Sequence, residues 1–247
     1  MENFRYKITI EYLGTNLVGW QKQNNGTSIQ QLIEDAIYCY SKFYTTLHAS
    51  GRTDAGVHAM GQVAHFDLPK KYETSVIISA TNHFLKNYDI MVTSCEYVSA
   101  DFHARFSTKS RSYVYRIFNS EVPSVIMRKR AWWIKEKLNV LAMQKAATHL
   151  IGTHDFSSFR AQGCYSKSPV KTINSIEITE ENNIIELYFE AKSFLYHMVR
   201  NFVGSLVMVG LEKWDASYMK QVLELRDRKF AAATSPACGL YLNKITY

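Results

Sequence analysis

The sequence predicts an α+β protein of two similar halves, each an antiparallel sheet covered on one face by helices, joined side by side. Three observations predict it. Short stretches that alternate apolar and polar residues recur between stretches with helical periodicity. That succession, strands interleaved with two main helices, runs once through each half of the chain. With four prolines in 247 residues and no Gly/Ser-rich run, no flexible linker divides the halves.

In the first half, Lys7–Tyr12 alternates as a half-buried strand does. Gly14 and Gly19 punctuate the loop that follows. Thr27 or Ser28 can cap a helix reaching to about Lys42, with Ile29, Leu32, Ile33, Ala36, Ile37 and Tyr40 on one face. The run Ser50-Gly51-Arg52-Thr53-Asp54-Ala55-Gly56-Val57-His58-Ala59 has no apolar period and reads as a loop. Gln62–Asp67 is a strand ended by Pro69, Ser75–Leu85 a helix and Met91–Tyr97 a strand. In the second half, Ser112–Phe118 is an aromatic strand and Asn139–Leu150 a helix. Ile173–Thr179 and Ile184–Ala191 form a hairpin across Glu181-Asn182-Asn183. Phe194–Leu211 reads as a long helix, Ala216–Leu225 as a shorter one and Tyr241–Thr246 as a final strand. The boundary falls near His103 to Lys109, giving halves 1–104 and 105–247, each of ferredoxin-like type, with a central cleft between them.

A formal net charge of +7, from 29 basic and 22 acidic residues, points to a polyanion partner, nucleic acid first. The four cysteines are scattered without C-x-x-C or metal-type spacing, which fits free thiols in a reducing, cytoplasmic setting. Met1 to Lys7 lacks the apolar core of a signal peptide, and the most apolar helical stretch, Phe202–Leu211, is too short to cross a bilayer. A soluble protein is expected.

Asp54 lies between Arg52 and His58 and is bracketed by two glycines. Such an acid can serve as nucleophile, general base or metal ligand, or form an ordinary turn. His48, His58, His65 and Asp67 are near it in sequence, but no H-E-x-x-H run or Cys/His cluster supports a metal, and none is expected. Arg111, Tyr113 and Tyr115 share one strand face. They suit either a stacking surface for an unpaired base or a core face with a snorkelling arginine. His197, Arg200 and Asn201 share a helix face, opposite a buried stripe of Val199, Phe202, Val203 and Leu206. A buried cation such as Arg200 needs a partner, for which Asp54 is a natural choice. Arg105, Lys109, Arg116, Arg128, Lys129, Arg130, Lys167 and Lys171 recur beside aromatics, as phosphate contacts do.

Collinear segments carry a resemblance over nearly the whole chain. They are Gly19-Trp20-Gln21, Thr27-Ser28-Ile29-Gln30, Gly51 to Ala59, Phe102 to Ser107 with Tyr113-Val114-Tyr115, Phe194 to Asn201, and Pro236 to Leu242. As a set they resemble the TruA family of tRNA pseudouridine synthases. The resemblance implies isomerisation of uridine to pseudouridine at tRNA positions 38, 39 and 40 of the anticodon stem-loop, without metal or organic cofactor, by a homodimer. It makes Asp54 the catalytic aspartate, Tyr113 the tyrosine packing on the target base, Arg200 the basic partner of Asp54, and Arg52 a group beside the flipped base. Arg105, Arg111 and Tyr115, together with His58 and His197, are expected to contact RNA. In one departure, Ala232 and Ala233 replace a Gly and a Pro usual in the family, which bears on local loop geometry. A non-catalytic RNA-binding module and a metal-dependent hydrolase built on Asp54, His58 and His65 are the competing classes.

Overall fold

The computed structural model describes residues 3–247; Met1 and Glu2 of the expected first half lie outside them. The chain divides into two compact units. One runs to Lys109 and takes in Tyr241–Tyr247; the other is Ser110–Leu240.

In the first unit β1 (Phe4–Tyr12) leads to α1 (Ile29–Ser41), β2 (His48–Ala49), β3 (His58–Leu68), α2 (Thr74–Leu85) and β4 (Ile90–Val98). Its sheet runs β4-β1-β3, with β2 on β3. Tyr6, Ile8, Ile10 and Tyr12 are buried, as the alternation requires, and Tyr6 stacks on Phe66 across the register at 5.6 Å. Ile29, Leu32, Ile33, Ala36 and Ile37 form the buried stripe of α1. Ser28 caps that helix by accepting from the Gln31 N–H, and Lys42 ends it in the left-handed conformation.

The opposite face of this sheet is polar yet covered. Arg5 grips Asp67 through one guanidinium edge, Nε and Nη2 each donating to a carboxylate oxygen at 2.8 Å, and Lys7 pairs with Glu96 at 2.9 Å. The segment after β4 closes over them. Ala104 N–H donates to His65 Nδ1 at 3.1 Å, and His65 lies 5.0 Å from His48 and 4.7 Å from His103, ring to ring.

The second unit holds β5 (Ser110–Asn119), β6 (Trp132–Ile134), α3 (Val140–Ala147), β7 (Gly152–Asp155), β8 (Val170–Glu181), β9 (Ile184–Ala191), α4 (Met198–Gly210) and α5 (Tyr218–Leu225). Its antiparallel sheet runs β5-β9-β8-β7. The β8–β9 hairpin turns on Asn182 and Asn183 at φ 49° and 65°. Asparagine tolerates those left-handed values, and they match the twist of the flanking strands. Helices pack on the face carrying Ile185, Leu187 and Phe189; Phe202 of α4 meets Phe189 at 6.0 Å.

Four expectations need correction. The last strand, β10 (Leu240–Thr246), returns to the first unit by pairing in parallel with β3, Tyr241 opposite His58, so the linear division at 104/105 does not hold. Gly61 allows this approach: a Cβ there would lie 2.6 Å from the Asn243 carbonyl oxygen. The sheets are not wholly antiparallel, because β6 also pairs in parallel, with β5. Strand β3 begins at His58, ahead of the expected Gln62. Finally, the helix expected from Phe194 starts at Met198, since His197 at φ 58° interrupts it. Strands β2, β6 and β7 have two to four residues, too few to show a period.

Burial and the nearby Arg5 charge push His65 down to about 4 from 6.5. Between those values the unfolded chain takes up a proton that the folded chain refuses, so stability falls as pH falls. The Arg5 bond lowers Asp67, whose contribution is complete above the ordinary carboxylate range and is lost as pH falls through its folded value. The melting temperature should therefore drop from pH 7 to pH 4. His65→Asn keeps an acceptor at the Nδ1 position and should flatten that slope by up to about 2 kcal/mol between pH 6.5 and 4. A slope unchanged in His65→Asn would contradict this.

Candidate active site

Asp54 sits on the loop between β2 and β3, and nearly every backbone group around it is fixed. Ser50 N–H donates to Val63 O at 2.8 Å, and Gln62 Nε2 donates to Gly51 O at 2.7 Å. The Thr53 hydroxyl shares a buried 2.7 Å hydrogen bond with Tyr12, while Thr53 O accepts from Trp20 N–H at 3.0 Å. Val57 N–H closes a turn on Asp54 O at 3.1 Å, with Gly56 at φ 78°. That positive φ at the third turn position defines a type II turn and explains the glycine.

Two further glycines clamp this loop from outside. A Cβ on Gly19 would stand 2.7 Å from Thr53 O, and one on Gly14 would stand 2.1 Å from Val57 O. The residue after Gly19 continues into the start of α1, where Gln30 N–H donates to Trp20 O. The loop is thus tied to β1, β3 and the approach to α1 together. Asp54 is half-buried on it and Arg52 is exposed.

His58 is fully buried. Its Nδ1 accepts from Gly14 N–H at 3.0 Å and its ring meets Tyr241 at 4.6 Å. The expected RNA contact is therefore corrected: this imidazole is a packing and hydrogen-bonding element under the loop. Arg105 remains exposed, beside Phe106, which is 76% exposed.

In the second unit the Arg111–Tyr113–Tyr115 face of β5 grades from surface to core. Arg111 is partly exposed and donates to Lys192 O at 2.7 Å. Tyr113 is half-buried, set perpendicular to Phe194 at 5.2 Å. Tyr115 is fully buried; its hydroxyl donates to Pro236 O at 2.8 Å, and burial drives its pKa upward. Tyr115 is thus core, which corrects its assignment to RNA contact. The two readings of this face divide along its length.

Arg200 lies in the first turn of α4. Its Nε donates to Ser235 O at 2.8 Å and its Nη1 to His197 Nε2 at 3.2 Å, so the expected proximity of His197 and Arg200 holds. Asn201 turns inward instead. It donates to Phe159 O at 2.8 Å and accepts from Thr234 Oγ1 at 2.7 Å and Arg228 at 3.2 Å. These bonds pin the segment after Ala231, which also rests on Gly204, where a Cβ would stand 2.1 Å from Ala233 O. Ala232 and Ala233 are not among the residues with positive φ, so alanine meets no backbone penalty there.

The clamp formed by Tyr12, Gly14, Gly19, Thr53 and Gln62 was not read from the sequence. Its one legible sign was a pair of glycines in a short loop. Among the described residues no three His, Cys, Asp or Glu side chains are placed to hold one metal ion. No helix among them is long and apolar enough to cross a membrane.

The first unit thus mounts one carboxylate on a rigid loop, in a basic α+β chain with exposed arginine and aromatic groups, a combination that suits a polyanionic partner. The comparisons with known proteins give the class. Residues 8–107 and 146–247 match the family model described as tRNA pseudouridine synthase. The chain is 47% identical over 281 residues to the tRNA pseudouridine synthase A of Orientia tsutsugamushi strain Ikeda, covering 98% of this chain and 99% of that protein. The protein of the same name from strain Boryong is 46% identical over 282 residues, with the same coverage. The chain belongs to the tRNA pseudouridine synthase family and is an isomerase.

Gly19→Ala forces a left-handed alanine against Thr53 O. It should lower stability by about 1–3 kcal/mol and reduce turnover at temperatures where the protein stays folded. Thermal melts beside initial rates test this; a variant with wild-type melting and rate would show that the clamp is dispensable.

Proposed function

We propose that this enzyme isomerises uridine to pseudouridine at positions 38, 39 and 40 of the tRNA anticodon stem-loop, with Asp54 as its catalytic carboxylate. The rigid, glycine-clamped mounting of Asp54 carries the reading, because a group that must meet C1′ or C2′ of a ribose gains most from a fixed backbone. The reaction breaks the N1–C1′ bond, forms a C5–C1′ bond, releases the C5 proton and returns a proton to N1. No electrons are gained or lost overall, so side chains of the protein suffice. Asp54 acts either as nucleophile at C1′ or as base at C2′, as carboxylates do at glycosidic centres.

The target uridine leaves its stack, at a cost of a few kcal/mol. Stacking on Tyr113, about 1–3 kcal/mol per base, offsets part of it. Arg200 serves as the cationic partner of Asp54 in the reaction. Arg52, exposed on the same loop as Asp54, guides the flipped base, and Arg105 and Arg111 contact the RNA backbone. The enzyme works in the cytoplasm as a homodimer, one tRNA touching both subunits; its four cysteines are free, as that compartment favours.

Tritium release from C5-labelled uridine tests the reading, using tRNAs with uridine at only one of positions 38, 39 and 40. Wild-type enzyme should release label from each. Asp54→Asn should release none while binding tRNA within about threefold of wild type. Turnover by Asp54→Asn, or label released only from uridines elsewhere in the tRNA, would overturn it. Tyr113→Phe should keep most of the activity and Tyr113→Ala lose at least about tenfold.

A further inference from the structure

Two acceptors that hold Arg200 within the second unit are neutral groups: the Ser235 carbonyl at 2.8 Å and His197 Nε2 at 3.2 Å. A guanidinium can only donate, so Nε2 must be unprotonated. In the neutral ring the proton then sits on Nδ1. Together the two bonds define the plane of the guanidinium without cancelling its charge.

His197 is itself held in an unusual state. It takes φ 58° immediately before α4, a conformation that glycine or asparagine adopts far more easily. Its side chain makes no capping bond to the helix that it precedes, although a helix start offers several N–H groups. The Tyr196 ring stacks on it at 3.9 Å and 30°. Tyr196 is anchored in turn by its backbone: its carbonyl accepts from Ala161 N–H at 3.1 Å, and its N–H donates to Cys164 Sγ at 3.4 Å. Core packing does not account for this arrangement, because Tyr196 is 43% exposed and His197 only half-buried. What the strained backbone and the stacked ring achieve together is to aim one nitrogen at Arg200.

We propose that His197 is a positioning residue for the isomerisation: its Nε2, backed by the Tyr196 ring, sets the orientation in which Arg200 works. This replaces the RNA contact expected for His197, and it rests on the role given to Arg200 above. His197 touches neither base nor ribose on this account. Removing it slows the bound reaction and leaves tRNA affinity in place.

Single-turnover pseudouridine formation, tRNA affinity and melting temperature, measured on the full chain, test the proposal. His197→Gly removes the acceptor and relaxes the left-handed backbone. It should melt no earlier than wild type, bind tRNA within about threefold and react at least about tenfold more slowly. His197→Gln places an amide near the Nε2 position and should recover most of that loss. Tyr196→Ala should fall between the two. If His197→Gly melts early, His197→Asn makes the same cut, since it tolerates the backbone but ends near the Nδ1 position. A wild-type rate in the acceptor-less variant overturns the proposal. So does a loss confined to tRNA affinity, or a glutamine variant no faster than the glycine one. Arg200→Ala separates this failure from that of the underlying reading. If it reacts at the wild-type rate, the role of Arg200 fails and His197 has nothing to position. If it is inactive while His197→Gly is not, only the positioning fails.

Discussion

Backbone meets backbone at Gly14 and Gly19, and the site in the first unit depends on that approach. Residues 53 to 57 lie so close to these glycines that no side-chain carbon fits between. Close packing of main chain is stiffer than packing through side chains, because there are no rotamers to adjust. The hydrogen bonds from Tyr12, Trp20 and Gln62 then leave the loop little freedom to turn. The rigidity is built one layer below the Asp54 carboxylate, in the glycines and the hydrogen-bonding side chains under the loop.

The second unit solves a different problem. A cation in the first turn of a helix faces the positive end of the helix dipole, an arrangement disfavoured by about 0.3–1 kcal/mol. Arg200 is nevertheless kept there, folded onto a carbonyl and an imidazole. Next to it, Asn201 and Arg228 tie down the segment from Ala231 to Ser235, whose last carbonyl is one of those acceptors. The buried side of α4 and the conformation of that segment are therefore coupled to the placement of one guanidinium.

Much of this was legible in the sequence, and the failures share a cause. Period reports which face a residue occupies and says nothing of depth along it. Tyr113 and Tyr115 were read as equals, yet Tyr115 is core and Tyr113 is only half-buried. His58 was read by its chemistry, whereas its place under Gly14 depends on a contact across 44 positions of sequence. The helix at α4 was started too early because a single left-handed residue, His197, leaves no mark on hydrophobic spacing. The long elements β1, α1, β5, β9 and α4 were found because each buries a full stripe. The loop around Asp54 was found because it lacks any period while concentrating glycine and charge.

The return of β10 to the first unit bears on how the protein is made. A ribosome delivers the chain from its beginning, and early segments tend to fold as they emerge. The sheet that carries the Asp54 loop lacks its parallel neighbour until Tyr241 and Leu242 have been synthesised. The whole of Ser110–Leu240 is available to fold before that happens. His58, with its ring against Tyr241, waits on the same event. The half of the molecule begun first is thus completed last, and a chain that stalls late in translation lacks a finished floor beneath its Asp54 loop.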